Sequence, residues 1–347
     1  MKRFYLPISL AALFQWSSSV MAADLGPAPE LPVYTPPPST IYFTAGGGYQ
    51  YLMGEKIYGI FDAPTSTNHW FPKDQDGWFG NVAIGWKSGD PNAAIGQAEL
   101  YGRVHDTSKT ENWSGGTLLM DVRHHGVPAG TNVPQATDSK LTHAEADRDH
   151  RLIEVGARFK SAAPGVAGFA FGLEPFAANF TQDYLTTAWG PGVGNQTGAN
   201  APRSAFRSAE IDAWIGGASV SAEASMPLHD SAYALVRASA GVYGVSAQGR
   251  YAFSSIPAGV AANAPATQTA FADSRSGIGG RFGGEIRLVQ QLAPGINIAA
   301  VAGADYWTKL PGAIMTVGNN SGPDTRTGWN DLILVNAGLE LTFEFGS

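Results

Sequence analysis

The seventeen residues from Trp329 to Phe345, close to the C-terminus, constrain the fold more than any other stretch of this chain. Ile333, Val335, Ala337, Leu339, Leu341, Phe343 and Phe345 recur at every second position, with Asp331, Asn336, Gly338, Glu340, Thr342 and Glu344 between them or at their edge. Leu332 and Leu334 are the apolar exceptions. Successive side chains of a strand point to opposite faces, so the pattern describes a strand with one greasy and one wet side. Strands of soluble domains run to about 5–6 residues. One that crosses a bilayer at a tilt needs about 9–11. A membrane-spanning barrel is the first expectation.

The N-terminus agrees. Lys2 and Arg3 precede the apolar run Phe4 to Phe14, and Val20-Met21-Ala22 offers the small side chains a signal peptidase reads. Residues 1–22 are expected to be a secretory signal peptide, too short in its apolar core for a transmembrane helix. No other segment reaches the roughly 18 unbroken apolar residues of a spanning helix, so membrane residence requires a closed barrel, since only helices and closed barrels satisfy every backbone group in lipid. Glycine is abundant at 43 residues and charged residues make up only 15%, which suits a barrel better than an average soluble domain. Cysteine is absent, so neither disulfides nor thiolate metal sites hold the fold. The net charge of −7, or −9 without Lys2 and Arg3, argues against a nucleic-acid partner, which would need a basic surface.

Residues 23–39 carry Pro27, Pro29, Pro32, Pro36, Pro37 and Pro38 and read as an extended periplasmic tether, with peptidoglycan or another periplasmic partner as its possible contact. Residues 40–347 hold ten candidate strands: Thr40–Leu52, Gly77–Lys87, Ala94–His105, His150–Lys160, Phe169–Thr181, Glu210–Met226, Ala232–Ala247, Gly277–Leu292, Ile296–Thr308 and Trp329–Phe345. Connections after the odd-numbered strands are long and polar. Those after the even-numbered ones, such as Pro227-Leu228-His229-Asp230 and Leu292-Ala293-Pro294-Gly295, are short and rich in turn formers. An outer-membrane barrel sorts its loops this way, with loops outside and turns in the periplasm. A soluble sandwich has no reason to. The expected fold is all-β: a transmembrane antiparallel up-and-down β-barrel of about ten strands in a Gram-negative outer membrane, its partners the surrounding lipids and lipopolysaccharide. Trp78, Trp86, Trp214, Tyr306 and Phe345 lie near strand ends, as interfacial girdles require.

Several stretches also resemble known families. The signal, the Ala-Asp-Leu start with its prolines and the C-terminal alternation resemble small alphaproteobacterial outer-membrane proteins. Trp214-Ile215-Gly216-Gly217, Ser225-Met226-Pro227-Leu228, Ser239-Ala240-Gly241-Val242-Tyr243-Gly244 and the closing Asp331-Leu332-Ile333-Leu334 to Leu341-Thr342-Phe343 are similar to the pore-forming family typified by the Legionella major outer-membrane protein. The resemblance implies a pore and a C-terminal aromatic read by the barrel assembly machinery. This chain departs from that ending with Phe345-Gly346-Ser347.

Charges on the lipid face cost roughly 2–4 kcal/mol near the midplane. Lys87, Glu99, Arg103, Glu154, Arg158, Glu174, Glu223, Arg237, Arg281, Glu285, Arg287, Asp305 and Glu340 are therefore assigned to the lumen. Such a lining suits a porin-like passive channel for small solutes or ions. The alternative is an interior salt-bridge ladder that closes a structural or surface-interaction barrel, since about eight strands are already filled by side chains. A barrel hydrolase is the third reading. His229-Asp230-Ser231 superficially matches the His-x-Ser of barrel lipid hydrolases but falls in a periplasmic turn. Asp74-Gln75-Asp76 has the paired-carboxylate look of omptin proteases, without the matching Asp-x-His on a later strand. The expectation is that the chain is not an enzyme. His124, His125, His143, Glu145, Asp147, Asp149 and His150 fall in the expected second external loop at no defined metal spacing, so neither metal nor cofactor is expected.

Overall fold

The computed structural model describes residues 39–346 apart from 55–57, 63–66, 71–73, 91–92, 120–140, 162–168, 191–202, 256–266 and 316–324. The expected signal peptide and the prolines between 27 and 38 lie outside the described residues.

Twelve strands follow in chain order: β1 (Thr40–Met53), β2 (Tyr58–Asp62), β3 (Thr67–Trp70), β4 (Asp74–Lys87), β5 (Gln97–Leu119), β6 (Leu141–Lys160), β7 (Phe169–Gly190), β8 (Arg203–His229), β9 (Ala232–Ser255), β10 (Thr267–Ala293), β11 (Ile296–Met315) and β12 (Thr325–Gly346). Ten of them, β1 and β4 to β12, pair antiparallel with their neighbours. β1 joins β12 from Thr40↔Gly346 to Met53↔Ile333, and the β5–β6 ladder closes the ring. The expected barrel and its strand number hold. The short β2–β3 hairpin, which alternation did not reveal, lies outside the ring and adds to the end of β5 through Phe61↔Leu119 and Asp62↔Leu118.

The strands are longer than expected, chiefly on the side of the long connections. β5 runs to Leu119 instead of His105, β6 begins at Leu141 instead of His150, and β10 begins at Thr267 instead of Gly277. Beyond the bilayer both faces of a strand are wet, so the hydrophobic alternation that marks a strand in sequence disappears while the ladder continues. The wall therefore rises well above the membrane on the β5–β10 side. It is lower on the opposite side, where β1 pairs with β4 only as far as Met53↔Asp74.

Within the membrane the alternation sorts side chains as lipid demands. Val242 and Ile278 are 67% and 73% exposed, and Leu100, Val155, Phe171, Val220, Leu288 and Leu339 share the outer face. Exposed apolar residues in that number are stable only when acyl chains cover them. Trp78, Trp214 and Tyr306 point outward at the end nearer the long connections, Trp86 and Phe345 at the turn end. About eight residues at 3.3 Å each separate the two levels along β4. Even strand number, short turns on one side, extended strands on the other and two aromatic rims make this an outer-membrane type of barrel.

Candidate functional site

The thirteen charged residues assigned to the lumen all lie on the inner face, and they meet in pairs. Arg281 stands at the centre. Its Nη1 donates to Glu154 Oε1 at 2.9 Å and its Nε to Asp305 Oδ1 at 3.3 Å. Its guanidinium also lies over the Trp307 ring, 4.5 Å from the centroid. Arg158 pairs with Glu99 and reaches Glu174, which also takes Arg237. Arg287 bridges Glu285 at 2.6 Å and Glu340 at 3.0 Å, and Arg103 lies 3.7 Å from Glu285. Nearer the turns, Lys160 holds Glu223 at 2.6 Å and Lys87 holds Glu344 at 2.5 Å.

Neutral donors complete the carboxylates. Tyr42 Oη donates to Glu99 at 2.6 Å, Tyr101 Oη to Glu154 at 2.7 Å and Asn81 Nδ2 to Glu340 at 2.6 Å. Sequence reasoning missed Lys160, Glu344, Tyr42, Tyr101 and Asn81. Their inward parity was the available signal. Tyr101 can lie flat on the wall because Gly156 faces it from β6. A β-carbon at Gly156 would sit 2.6 Å from the ring, so only glycine fits.

Little space remains among these groups. A polar cavity of about 20 Å³ is lined by Arg103, Glu174, Arg237, Arg281, Glu285 and Asp305 with their neighbours, and a second of the same size by Thr44, Asn81, Glu99, Arg158 and Arg287 with theirs. Each has room for about one water. A larger concavity of about 500 Å³ opens on the lipid side, over Leu100, Val155, Gly156, Pro175 and Ala177. There Pro175 has no N–H to give, and the β6–β7 ladder skips from Gly156↔Phe176 to Phe159↔Leu173.

Above the ion pairs the lumen becomes apolar. Trp307, fully buried, packs edge-on against Phe176 and tilts against Tyr243, in one cluster with Leu52, Leu152, Phe180, Ile215, Leu310 and Leu332. Buried polar groups beside it bond to one another: His105 Nδ1 meets Gln50 Oε1, and His150 is held between Gln75 and Gln182.

The mouth is closed by the chain itself. β11 leaves the wall after Trp307, at a register break that contains Lys309 with φ 57°. Leu310, Pro311, Gly312 and Ala313 are then buried in succession, which no strand of a barrel wall allows for both faces. Ala313 N–H donates to Gln182 Oε1 of β7, 3.3 Å away across the lumen. Ala313 packs with Ala146, Tyr184, Ala209, Ile211 and Tyr251 from four other strands. On the β12 arm, Thr327 N–H donates to Asp273 Oδ2 at 2.8 Å, Tyr251 Oη and Thr327 Oγ1 lie 2.9 Å apart, and Arg275 Nη1 donates to the Thr327 carbonyl at 3.1 Å. Glycine makes room for this hairpin: a β-carbon at Gly277 would lie 2.7 Å from the Trp329 ring.

The outer face above the girdle is charged. Asp106, Asp147, Asp149, Asp183, Glu210 and Asp212 point outward from β5 to β8, with Arg151 donating to Asp106 and Arg250 to Glu210. Partial desolvation, then Asp147 and Asp106, raise the Asp149 pKa. Partial desolvation, then Glu210 and Asp149, raise that of Asp183.

The other candidates fall apart in space. His143, Glu145, Asp147 and Asp149 face outward on β6 while His150 faces the lumen, so the expected loop is a strand and its ligand types are split by the wall. His124 and His125 lie outside the described residues. Asp74 and Asp76 point away from the lumen, Asp76 accepting from Tyr49 Oη, and buried Gln75 between them points inward. Ser231 Oγ accepts a bond from Gln290 Nε2 at 2.9 Å, in the turn after β8.

No protein-family model matches the sequence, and no curated protein sequence does. Among solved structures, the outer membrane protease OmpT from Escherichia coli is 11% identical, with 91% of this chain and 99% of that one covered and a TM-score of 0.41. Ail, the attachment invasion locus protein of Yersinia pestis, is 8% identical over 88% and 99%, with a TM-score of 0.27. The P. putida toluene transporter TodX is 7% identical over 90% and 91%, with a TM-score of 0.22. All three scores lie under 0.5, and the barrel assignment rests on this chain's own strand pairing and exterior.

Proposed function

We propose that this chain is a closed outer-membrane barrel that presents a rigid external cylinder, and that it is neither a passive pore nor an enzyme. The observation that carries the reading is the stacked closure of the lumen: an ion-pair layer with one-water cavities, an apolar layer around Trp307, and the inserted β11–β12 hairpin. The external extension of β5–β10 and its charged outer row, at the height of lipopolysaccharide headgroups, support a surface role. Mixed carboxylates and guanidinium groups suit contact with phosphates and the cations that bridge them.

A porin-like channel is the second reading, favoured by the charged lining and by the resemblance to the Legionella-type pore-forming family. Of the residues that carry that resemblance, Trp214 and Val242 face lipid, so they report barrel construction more directly than conduction. Planar-bilayer recording of the refolded protein separates the two. The closed reading expects no unitary current over many verified insertions. Reproducible conductance steps whose ion selectivity shifts with neutral substitutions of Arg103, Arg281 and Arg287 establish the pore instead.

A further inference from the structure

The β10–β11 ladder ends at Arg281↔Trp307, yet both strands continue. β10 extends another fourteen residues, Thr267 to Gly280, still paired to β9 on one edge. Among the described residues no strand pairs with its other edge. β11 extends through Thr308 to Met315, still paired to β12 as a hairpin, but inside the lumen.

We infer that the β11–β12 hairpin exchanges between this inserted position and a second one, in which Thr308–Met315 zips onto the vacant edge of β10 and the barrel mouth opens into a blind vestibule. Continuing the present register pairs Gly280 with Thr308, Ser276 with Gly312 and Ser274 with Ile314. The strand is already antiparallel and already paired one residue below, so the ladder extends without a new nucleus.

Three features make the site two-state. Lys309 is the single non-glycine residue with positive φ among the described residues, and it sits at the bend, where leaving the left-handed region relieves strain. Thr308 Oγ1 takes the place of a strand partner at Gly280, accepting from its N–H at 2.8 Å and donating to its carbonyl at 3.3 Å. The hairpin is latched by Asp273 and Arg275, side chains of the same strand whose backbone edge it has left. The inference goes beyond the closed-barrel reading: the ion-pair layer lies beneath the hairpin and stays in both positions.

The chain has no cysteine, so introduced thiols report alone. Full-length protein refolded in vesicles is oxidised mildly in two variants, each checked for the electrophoretic mobility of a folded barrel. Asp273→Cys with Thr327→Cys captures the inserted hairpin. Ser274→Cys with Ile314→Cys captures the zipped one, since paired strands hold Cα atoms about 4.5–5.5 Å apart, within disulfide reach. Both are expected to cross-link. In a third variant, Ala209→Cys beneath the hairpin is expected to react slowly with a membrane-impermeant maleimide. Adding Asp273→Ala removes both bonds that Asp273 accepts, from the Thr327 N–H and from its hydroxyl, and should speed it by at least about tenfold. A folded Ser274/Ile314 variant that never cross-links, or a labelling rate unmoved by Asp273→Ala, overturns the exchange. Conductance in the oxidised Ser274/Ile314 variant supports the exchange and instead overturns the closed-lumen reading, so the two failures are distinguishable.

Discussion

Replacing Arg281 with methionine tests whether the lumen is dry. In the closed barrel this change strands two carboxylates at once: Glu154, with no exposed surface, keeps only Tyr101 Oη, and Asp305 loses its guanidinium partner. Breaking a buried pair from one side costs about 3–5 kcal/mol, because the remaining charge has neither water nor a partner. Glu154→Gln is milder. Arg281 retains Asp305, and the amide oxygen still accepts from Tyr101, so the loss is that of one hydrogen bond to a charged group, about 1.5–3 kcal/mol. Neutralising the whole cluster, with Arg281→Met, Glu154→Gln and Asp305→Asn together, should recover most of the loss, because no ion is then left unpaired. The order is therefore Arg281→Met worst, Glu154→Gln intermediate and the triple variant near the parent. Urea unfolding of the refolded barrel in lipid vesicles, followed by tryptophan fluorescence, measures all three. In a hydrated, conducting lumen the same pairs act like exposed ones, worth about 0–1 kcal/mol and weakened by salt. An Arg281→Met loss below about 1 kcal/mol that shrinks further in 1 M salt would falsify the closed lumen.

Other perturbations check other layers. Gly156→Val drives a side chain into the Tyr101 ring and should prevent the folded barrel from forming, read as loss of its heat-shifted gel mobility. Val242→Arg at mid-belt should cost roughly 2–4 kcal/mol, while Trp214→Arg at the outer girdle costs about 0–1 kcal/mol for the charge; equal losses in vesicle unfolding sink the assigned depth. Asp183 ionises less readily in the folded protein than in the unfolded chain, so its charge opposes folding above the carboxylate range and stops doing so as pH falls through its raised pKa. Asp183→Asn should therefore stabilise at pH 7 by roughly 0.5 kcal/mol or less after screening, and by nothing at pH 3. A destabilised variant at pH 7 contradicts the direction.

How much of this was legible beforehand depends on where the information is local. Alternation with period two told Phe343 from Thr342 and Arg287 from Leu288, because lipid on one side and protein on the other act on each residue separately. Parity of loop lengths, another local property, ordered the strands. The same logic failed at Asp147, Asp149 and Asp183, which lie on strand beyond the bilayer, where both faces are wet and no period survives. It failed at Leu310–Ala313 for the opposite reason: a strand buried on both faces inside the lumen has no alternation to display.

The sequence by itself thus determined where the chain lives, which way each membrane-level side chain points and that charges fill the interior. Only the tertiary structure decided what those charges meet and whether anything passes between them. Arg281 finds Glu154 across 127 residues of chain, and Ala313 finds Gln182 across 131. Such meetings are set by ring closure and register, which no local pattern encodes.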